Sequence, residues 1–387
     1  MRMRKATAAM VGLLLAGVAA TPAHAETIRS QQWHLDTMKV DEIWKSSTGK
    51  GVTVAVIDDG VREIPELAGQ LVPGKRFTAK GDDGPTDQGS HGTTMAALIA
   101  GTGKHPTGDG AYGLAPGVKI LPILVDNNEK KTPTWVAAIR YAADSDAKVI
   151  NMSIGIDGTP EDDRPRAEAV QYALAKGKLI FAAVGNYGDS TNELAYPAGT
   201  PGVVGVGSVD ATGEPAKESQ HGPQVDMAAF GTDIVTACTG KTGVCKSSGT
   251  SDASALASAS AALLWSAHPE WTNNQVLRVL LNTAAKPVDG TQRNDYVGYG
   301  MVRPRVALQT PGDPGPADVY PLADLAAAAA GGKASAAPEG KAAGTPAPAP
   351  QAEAAKGGSS LLWVGLGLGA CVLIGGAVTA VLVRRNR

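Results

Sequence analysis

Five short apolar runs, rich in β-branched residues, punctuate the chain: Val52 to Ile57 (VTVAVI), Lys119 to Val125, Val149 to Ile154, Leu179 to Val184 and Val203 to Val209. They do not alternate with polar residues as half-exposed strands do, so each reads as a strand buried on both faces. Between them lie helical segments, His91 to Ala100, Thr134 to Ala143 and Arg166 to Lys176. Strands alternating with helices of this length imply βαβ units. The expected fold class is therefore α/β, with three layers: a mostly parallel sheet flanked by helices on both faces. Two more helices should close the body. One runs from Ser251 to about Ala267; the other is announced by Thr272 and Gln275, a capping box ahead of Val276, Leu277, Leu280 and Leu281.

The ends follow other patterns. Arg2, Arg4 and Lys5 precede an apolar run from Met10 to Ala20, and Ala23-His24-Ala25 places small residues where a signal peptidase reads. Residues 1–25 are expected to be a secretory signal peptide, since a spanning helix needs about 20 apolar residues. Leu361 to Val383 carries no charge, and Arg384, Arg385 and Arg387 follow it. At about 1.5 Å per residue this segment crosses a hydrocarbon core of roughly 30 Å, with the arginines on the cytoplasmic side. We expect a membrane helix over 360–383 and a cytoplasmic tail over 384–387. Residues 311–359 collapse to Ala, Pro and Gly, the composition of a flexible tether. One domain, 26–310, is left for the body, held outside the cytoplasm at the cell membrane.

Composition narrows the partners. A formal charge of −2 gives no footing for nucleic acid. Of three cysteines, Cys371 falls in the expected span. Cys238 and Cys245 are then the pair available in an oxidising compartment, and a disulfide between them is expected; two free buried thiols are the alternative. So small a loop would add roughly 2–3 kcal/mol. No Cys/His cluster has metal-ligand spacing, and neither metal nor cofactor is expected. Gly108 to Gly113 matches GxGxxG without a preceding strand, and Val235 stands where a P-loop ending at Gly240-Lys241-Thr242 needs its first glycine.

In open parallel sheets functional groups gather at the carboxyl ends of strands. Asp58 directly follows VTVAVI and Asn186 follows LIFAAVG, while His91 and Ser251 open helices. Each has an ordinary reading: Ser251 as a helix cap, His91 as a first-turn polar residue, Asp58-Asp59-Gly60 as a turn, Asn186-Tyr187-Gly188 as a loop. Jointly they have a chemical one. A serine hydroxyl is a poor nucleophile without a base. His91 can be that base, with Asp58 holding its imidazole in the useful tautomer. The backbone N–H of Ser251, at a helix N-terminus, and the amide of Asn186 can face a developing oxyanion, and Gly92 and Gly249 allow close backbone approach. Of the other histidines, His24 leaves with the signal peptide, and His34, His105, His221 and His268 are expected on the surface or in loops.

From about Gln32 to Leu308 the chain resembles the subtilisin family of serine proteases. VAVIDDG is similar to the family's Asp motif, HGTTMA to its His motif, AAVGN to its oxyanion asparagine and GTSDAS to its Ser motif, in the family's order Asp, His, Ser. The resemblance implies the three-layer subtilisin-like fold and a serine endopeptidase acting through an acyl-enzyme on Ser251. It also implies that Ser153, Ile154 and Gly155 pair with an extended peptide substrate. The signal peptide, the segment QQWHLDTMKVDEIWKSSTGKGV, the tether and the span together resemble the mycosins, membrane-anchored subtilases of type VII secretion systems. By that resemblance residues 26–50 wrap around the body rather than forming an inhibitory prodomain, and the substrate is a protein exported by, or belonging to, the secretion complex. Three residues depart from the family pattern. Asp59 stands where Thr or Ser is usual and is expected to point away from Asp58. Asp252 replaces Met, where it would stabilise His91 as a cation, and Ala255 replaces Pro. The first two raise the alternative of a weak or inactive subtilase fold serving as a scaffold of that complex.

Overall fold

The computed structural model describes residues 26–78, 89–126 and 133–325. The expected signal peptide, the span over 360–383 and most of the tether lie outside the described residues. Among those described, no helix is long and apolar enough to cross a membrane.

Three short helices open the body: α1 (Ile28–Gln31), α2 (Trp33–Thr37) and α3 (Val40–Ser46). Then come β1 (Thr53–Asp58), β2 (Lys75–Phe77), α4 (His91–Ala100), β3 (Lys119–Val125), α5 (Pro133–Asp144), β4 (Val149–Met152) and β5 (Ile156–Asp157). The chain continues through α6 (Pro160–Ala175), β6 (Leu179–Ala183), β7 (Ala195–Tyr196), β8 (Val204–Val209) and β9 (Met227–Phe230). Last are β10 (Ile234–Ala237), β11 (Val244–Ser247), α7 (Thr250–Ala267), α8 (Asn273–Thr283) and α9 (Pro304–Gln309). Seven strands form one sheet in the order β2-β3-β1-β4-β6-β8-β9, parallel at every pairing.

The continuous apolar runs are explained by two cores, one on each face. Successive side chains of β1 point to opposite faces. Val54 and Val56 join the core built by α4, α7 and α8, with Leu98, Ile99, Leu256, Leu263 and Leu277. Ala55 and Ile57 join the core built by α5 and α6, with Ile139, Ala142, Val170 and Ala173. β6 divides likewise, Leu179 and Phe181 to the first core and Ile180 and Ala182 to the second. The expected α/β sandwich of three layers is thus present.

Helix α6 begins at Pro160, six residues before the apolar pattern would start it. Its first turn is stabilised without burial. Thr159 accepts from the Asp162 N–H, and Glu161, Asp162 and Asp163 face the positive end of the helix dipole. Short strands such as β2 (Lys-Arg-Phe) and the hairpin β10–β11 carry no apolar run long enough to announce them.

Two expectations are corrected. His34 is neither a surface nor a loop residue. It lies on α2, fully buried, with neither ring nitrogen hydrogen-bonded among the described residues. Burial, reinforced by the positive charge of Arg29, pushes its pKa down to about 3, so it is neutral. α1–α3 are laid across the body through polar anchors near it. Gln32 donates to the carbonyls of Tyr112 (2.7 Å) and Val235 (3.2 Å) and accepts from the Tyr112 N–H (2.9 Å).

The second correction concerns the boundary at 310. Residues 311–325, assigned by composition to the tether, are docked on the body. Arg278 donates to the carbonyls of Pro314 (2.7 Å) and Pro316 (2.9 Å), and Gln275 donates to Gly315 (3.0 Å). The Tyr320 hydroxyl donates to the Gly202 carbonyl at 2.9 Å, and Leu322 is buried. Composition missed this because proline carbonyls accept hydrogen bonds as well as any, and one buried leucine makes no period. A chain ending at Thr310 should therefore unfold more easily than one ending at Leu325, by about 3 kcal/mol for the buried leucine and lost hydrogen bonds. Urea unfolding of the two proteins checks this.

Candidate active site

Asp58 is the last residue of β1, at the carboxyl end of a central strand, and its carboxylate is fully buried. It meets the ring of His91, the first residue of α4. His91 Nδ1 lies 2.9 Å from Oδ1 and 3.0 Å from Oδ2 of Asp58. A carboxylate only accepts, so Nδ1 carries the proton and Nε2 is left as the basic nitrogen of the half-exposed ring.

Ser251 lies in the first turn of α7. Its hydroxyl donates to the Ser153 carbonyl at 3.1 Å, and among the described residues no hydrogen bond joins it to the His91 ring. A buried polar network fixes this end of α7. Asn151, on β4, donates to the Ser153 hydroxyl (3.0 Å) and accepts from Ser254 and Ser258 (3.0 Å each), while the Ser153 hydroxyl donates to the Ser251 carbonyl (2.9 Å). Asn151, Ser254 and Ser258 are wholly buried. Motif reading passed over all three. The signal available was serine at 251, 254 and 258, one face of an otherwise apolar helix.

Asn186 lies beyond the end of β6, exposed at the cleft. Its Oδ1 accepts both the N–H (2.9 Å) and the hydroxyl (3.0 Å) of Thr250, and the Gly185 N–H donates to that hydroxyl at 3.2 Å. Thr250 thereby fixes the amide orientation, and among the described residues Nδ2 donates to no partner. Gly249 has φ +144°, and a Cβ there would sit 3.0 Å from Asn186 Nδ2. Of the expected substrate segment, Ser153 and Ile154 are buried and Gly155 is exposed, just before the β5–β7 pair.

The two extra carboxylates take different places. The expectation that Asp59 points away is overturned. β1 ends at Asp58, so strand alternation no longer holds, and the Asp59 carboxylate turns to the N-terminus of α4. It accepts the backbone N–H groups of Gly92 (2.7 Å), His91 (3.2 Å) and Ser90 (3.3 Å). Asp252 is buried under the first turn of α7. One oxygen accepts from the Ser247 hydroxyl at 2.9 Å, and the other has no partner among the described residues. Burial raises its pKa to about 7, against the pull of Ser247 and His91. For His91 burial is the largest influence and lowers the pKa. Attraction to Asp58, joined by Asp59 and Asp252, outweighs it and raises His91 to about 9.

Cys238 and Cys245 face each other across the β10–β11 hairpin, their Sγ atoms 1.87 Å apart. The loop between them touches the site, with Thr239 and Ser90 hydroxyls 2.9 Å apart. A cavity of about 680 Å³ lies elsewhere, between α2 and this hairpin, lined by Trp33, Asp210, Thr212, Asp233 and Lys246; it includes none of the residues above. Among the described residues no group of three His, Cys, Asp or Glu side chains could hold a metal ion.

The subtilase family model matches residues 49–300. A thermophilic serine proteinase of Bacillus sp. (strain AK1) is 38% identical over 266 residues, 68% of this chain and 63% of that protein, so the alignment spans under two thirds of that relative. Mycosin-1 of Mycobacterium tuberculosis is 31% identical over 338 residues, 74% of each chain. Among solved structures, MycP1 from the ESX-1 type VII secretion system superposes with a TM-score of 0.65 at 30% identity, over 77% of this chain and 90% of its own. A structure of the periplasmic assembly from the ESX-5 inner membrane complex matches with a TM-score of 0.63 at 28% identity, over 86% of this chain and 92% of its own. The chain belongs to the subtilase family, with mycosins among its relatives.

Proposed function

We propose that this subtilase is a serine endopeptidase in which Asp58, His91 and Ser251 form the catalytic triad. The observation that carries the reading is the fully buried Asp58 carboxylate on Nδ1 of a half-exposed His91 that opens a helix. Ser251 Oγ attacks the scissile carbonyl carbon while His91 Nε2 takes its proton. The resulting oxyanion is held by the Ser251 backbone N–H and by Asn186 Nδ2. Collapse expels the amine, which takes the proton from His91, and water then hydrolyses the acyl-enzyme by the same route. Peptide main chain pairs along Ser153, Ile154 and Gly155. Cys238 and Cys245 form a disulfide that closes the hairpin beside the site.

The setting belongs to the same proposal. Residues 1–25 direct secretion, a tether beyond Leu325 leads to the span at 360–383, and the peptidase body works outside the cytoplasm at the membrane. The likeness to mycosin-1, MycP1 and the ESX-5 assembly supports a type VII secretion complex as partner and its substrates or components as targets.

A second reading, a scaffold with a weak active site, is favoured by one observation: the Ser251 hydroxyl is bonded to Ser153 rather than to a His91 that is held charged. Comparing secretion in a Ser251→Ala strain with that in a full deletion separates the two, since a scaffold survives the point mutation.

Fluorophosphonate should label the full chain and not its Ser251→Ala variant; a folded wild type that stays unlabelled overturns the peptidase reading. Replacing Asn186 by Ala should lower kcat about 100-fold, the order expected for one lost oxyanion donor. Because the base must be neutral, a His91 pKa near 9 means that kcat/KM keeps rising from pH 7 to about pH 9. Asp252 supplies a stability test. Its folded pKa lies above its unfolded value, so the folded state keeps a proton that the unfolded chain loses, and this group erodes stability as pH rises from about 4 to about 7. Asp252→Asn should therefore stabilise the protein at pH 8 by on the order of 4 kcal/mol and do little at pH 4, as measured by urea unfolding.

A further inference from the structure

The N-terminus of α4 has no side-chain cap from its own N-cap residue. Ser90 sits at the cap position, yet its side chain makes no capping hydrogen bond and reaches the Thr239 hydroxyl instead. The free N–H groups of the first turn are satisfied from outside the helix by Asp59, which receives those of Ser90, His91 and Gly92. The cradle admits no larger residues. A Cβ on Gly89 would come within 2.3 Å of Asp59 Oδ1, and one on Gly92 within 2.3 Å of the Gly60 carbonyl and 2.9 Å of Asp58 Cβ. The neighbouring peptide serves the other carboxylate, since the Asp59 N–H donates to Asp58 Oδ1 at 2.7 Å.

One histidine is thus gripped twice by adjacent residues, Asp58 at ring Nδ1 and Asp59 at backbone N. We propose that Asp59 is a positioning residue for the base: its carboxylate locks the first turn of α4 so that the His91 ring stays on Asp58, with Nε2 held toward the cleft. The proposal rests on the peptidase reading for the use of His91, but the grip itself is a property of the fold. Without the Asp59 acceptor, three N–H groups at the start of α4 turn to water. The first turn then frays and His91 leaves the line between Asp58 and Ser251, an error of about 1 Å sufficing to cost roughly 100-fold. The Asp59 carboxylate is engaged by the first turn of α4, so the loss is expected to fall on kcat. Its charge also acts on His91 in company with Asp58 and Asp252.

Two variants of the full chain separate acceptor from charge: Asp59→Asn keeps an oxygen for the N–H groups, and Asp59→Ala keeps neither. Peptide hydrolysis and fluorophosphonate labelling report kcat and KM, and histidine NMR reports the His91 titration whether or not the protein is active. The expected result for Asp59→Ala is a kcat lower by about 10- to 100-fold with KM within about twofold. Asp59→Asn should recover most of that rate, and in both variants His91 should titrate at lower pH than in the wild type. A part that only stabilises the helix would shift the melting temperature and leave kcat and the titration alone; that result in folded variants overturns the proposal. If the wild type is inactive, the peptidase reading fails, and an unchanged His91 titration in Asp59→Ala would still sink the positioning role separately.

Discussion

A carboxylate buried without compensation is among the costliest groups a fold can contain, and Asp58 is wholly buried at the end of the central strand. The site can be understood as the answer to that constraint. Its carboxylate is met by His91 Nδ1 and by the N–H of Asp59. To supply the histidine, α4 must begin at residue 91, beside the strand end, and this requires its free N–H groups to be satisfied there. Asp59 does so from the same turn. The tautomer of His91, its raised pKa and the exposure of Nε2 all follow from the way one buried charge is accommodated.

A second buried network does the same for Ser251. α7 runs through the first core, and on one of its faces Ser254 and Ser258 meet Asn151. Every polar group in that network has a partner, the condition under which buried polarity makes a position specific. Asn151 also reaches Ser153, whose hydroxyl holds the Ser251 carbonyl and whose own carbonyl takes the Ser251 hydroxyl. The sheet, Ser153 and Ser251 are therefore held in one arrangement. Asp252 stands apart from this rule, with one oxygen unpartnered among the described residues, and it is the clearest local conflict in the site.

Much of this was legible along the chain. Five of the seven sheet strands and the helices α4, α5, α7 and α8 were marked by apolar runs and caps, because burial on both faces leaves no other residues to choose from. The candidates Asp58, His91, Ser251 and Asn186 could be picked out because strand ends and helix starts sit at the joints between periodic segments. What escaped were elements held by polar contacts rather than by an apolar run: the hairpin β10–β11, the first two turns of α6, and residues 311–325 bound to Arg278 and Gln275.

The sequence by itself determined the layers, the strand and helix order, the family and the candidate residues, since hydrophobic period and motif order are local properties. Only the tertiary structure decided where the polar atoms go. It turned Asp59 toward α4 against the alternation of a strand, buried His34 with neither ring nitrogen hydrogen-bonded among the described residues, and set Ser251 on Ser153 rather than on His91. The physical reason is range. Burial of an apolar side chain is non-directional and can be met by any neighbour, so its pattern survives in one dimension. A hydrogen bond depends on distance and angle between two particular groups, and those are defined only once the chain has closed on itself.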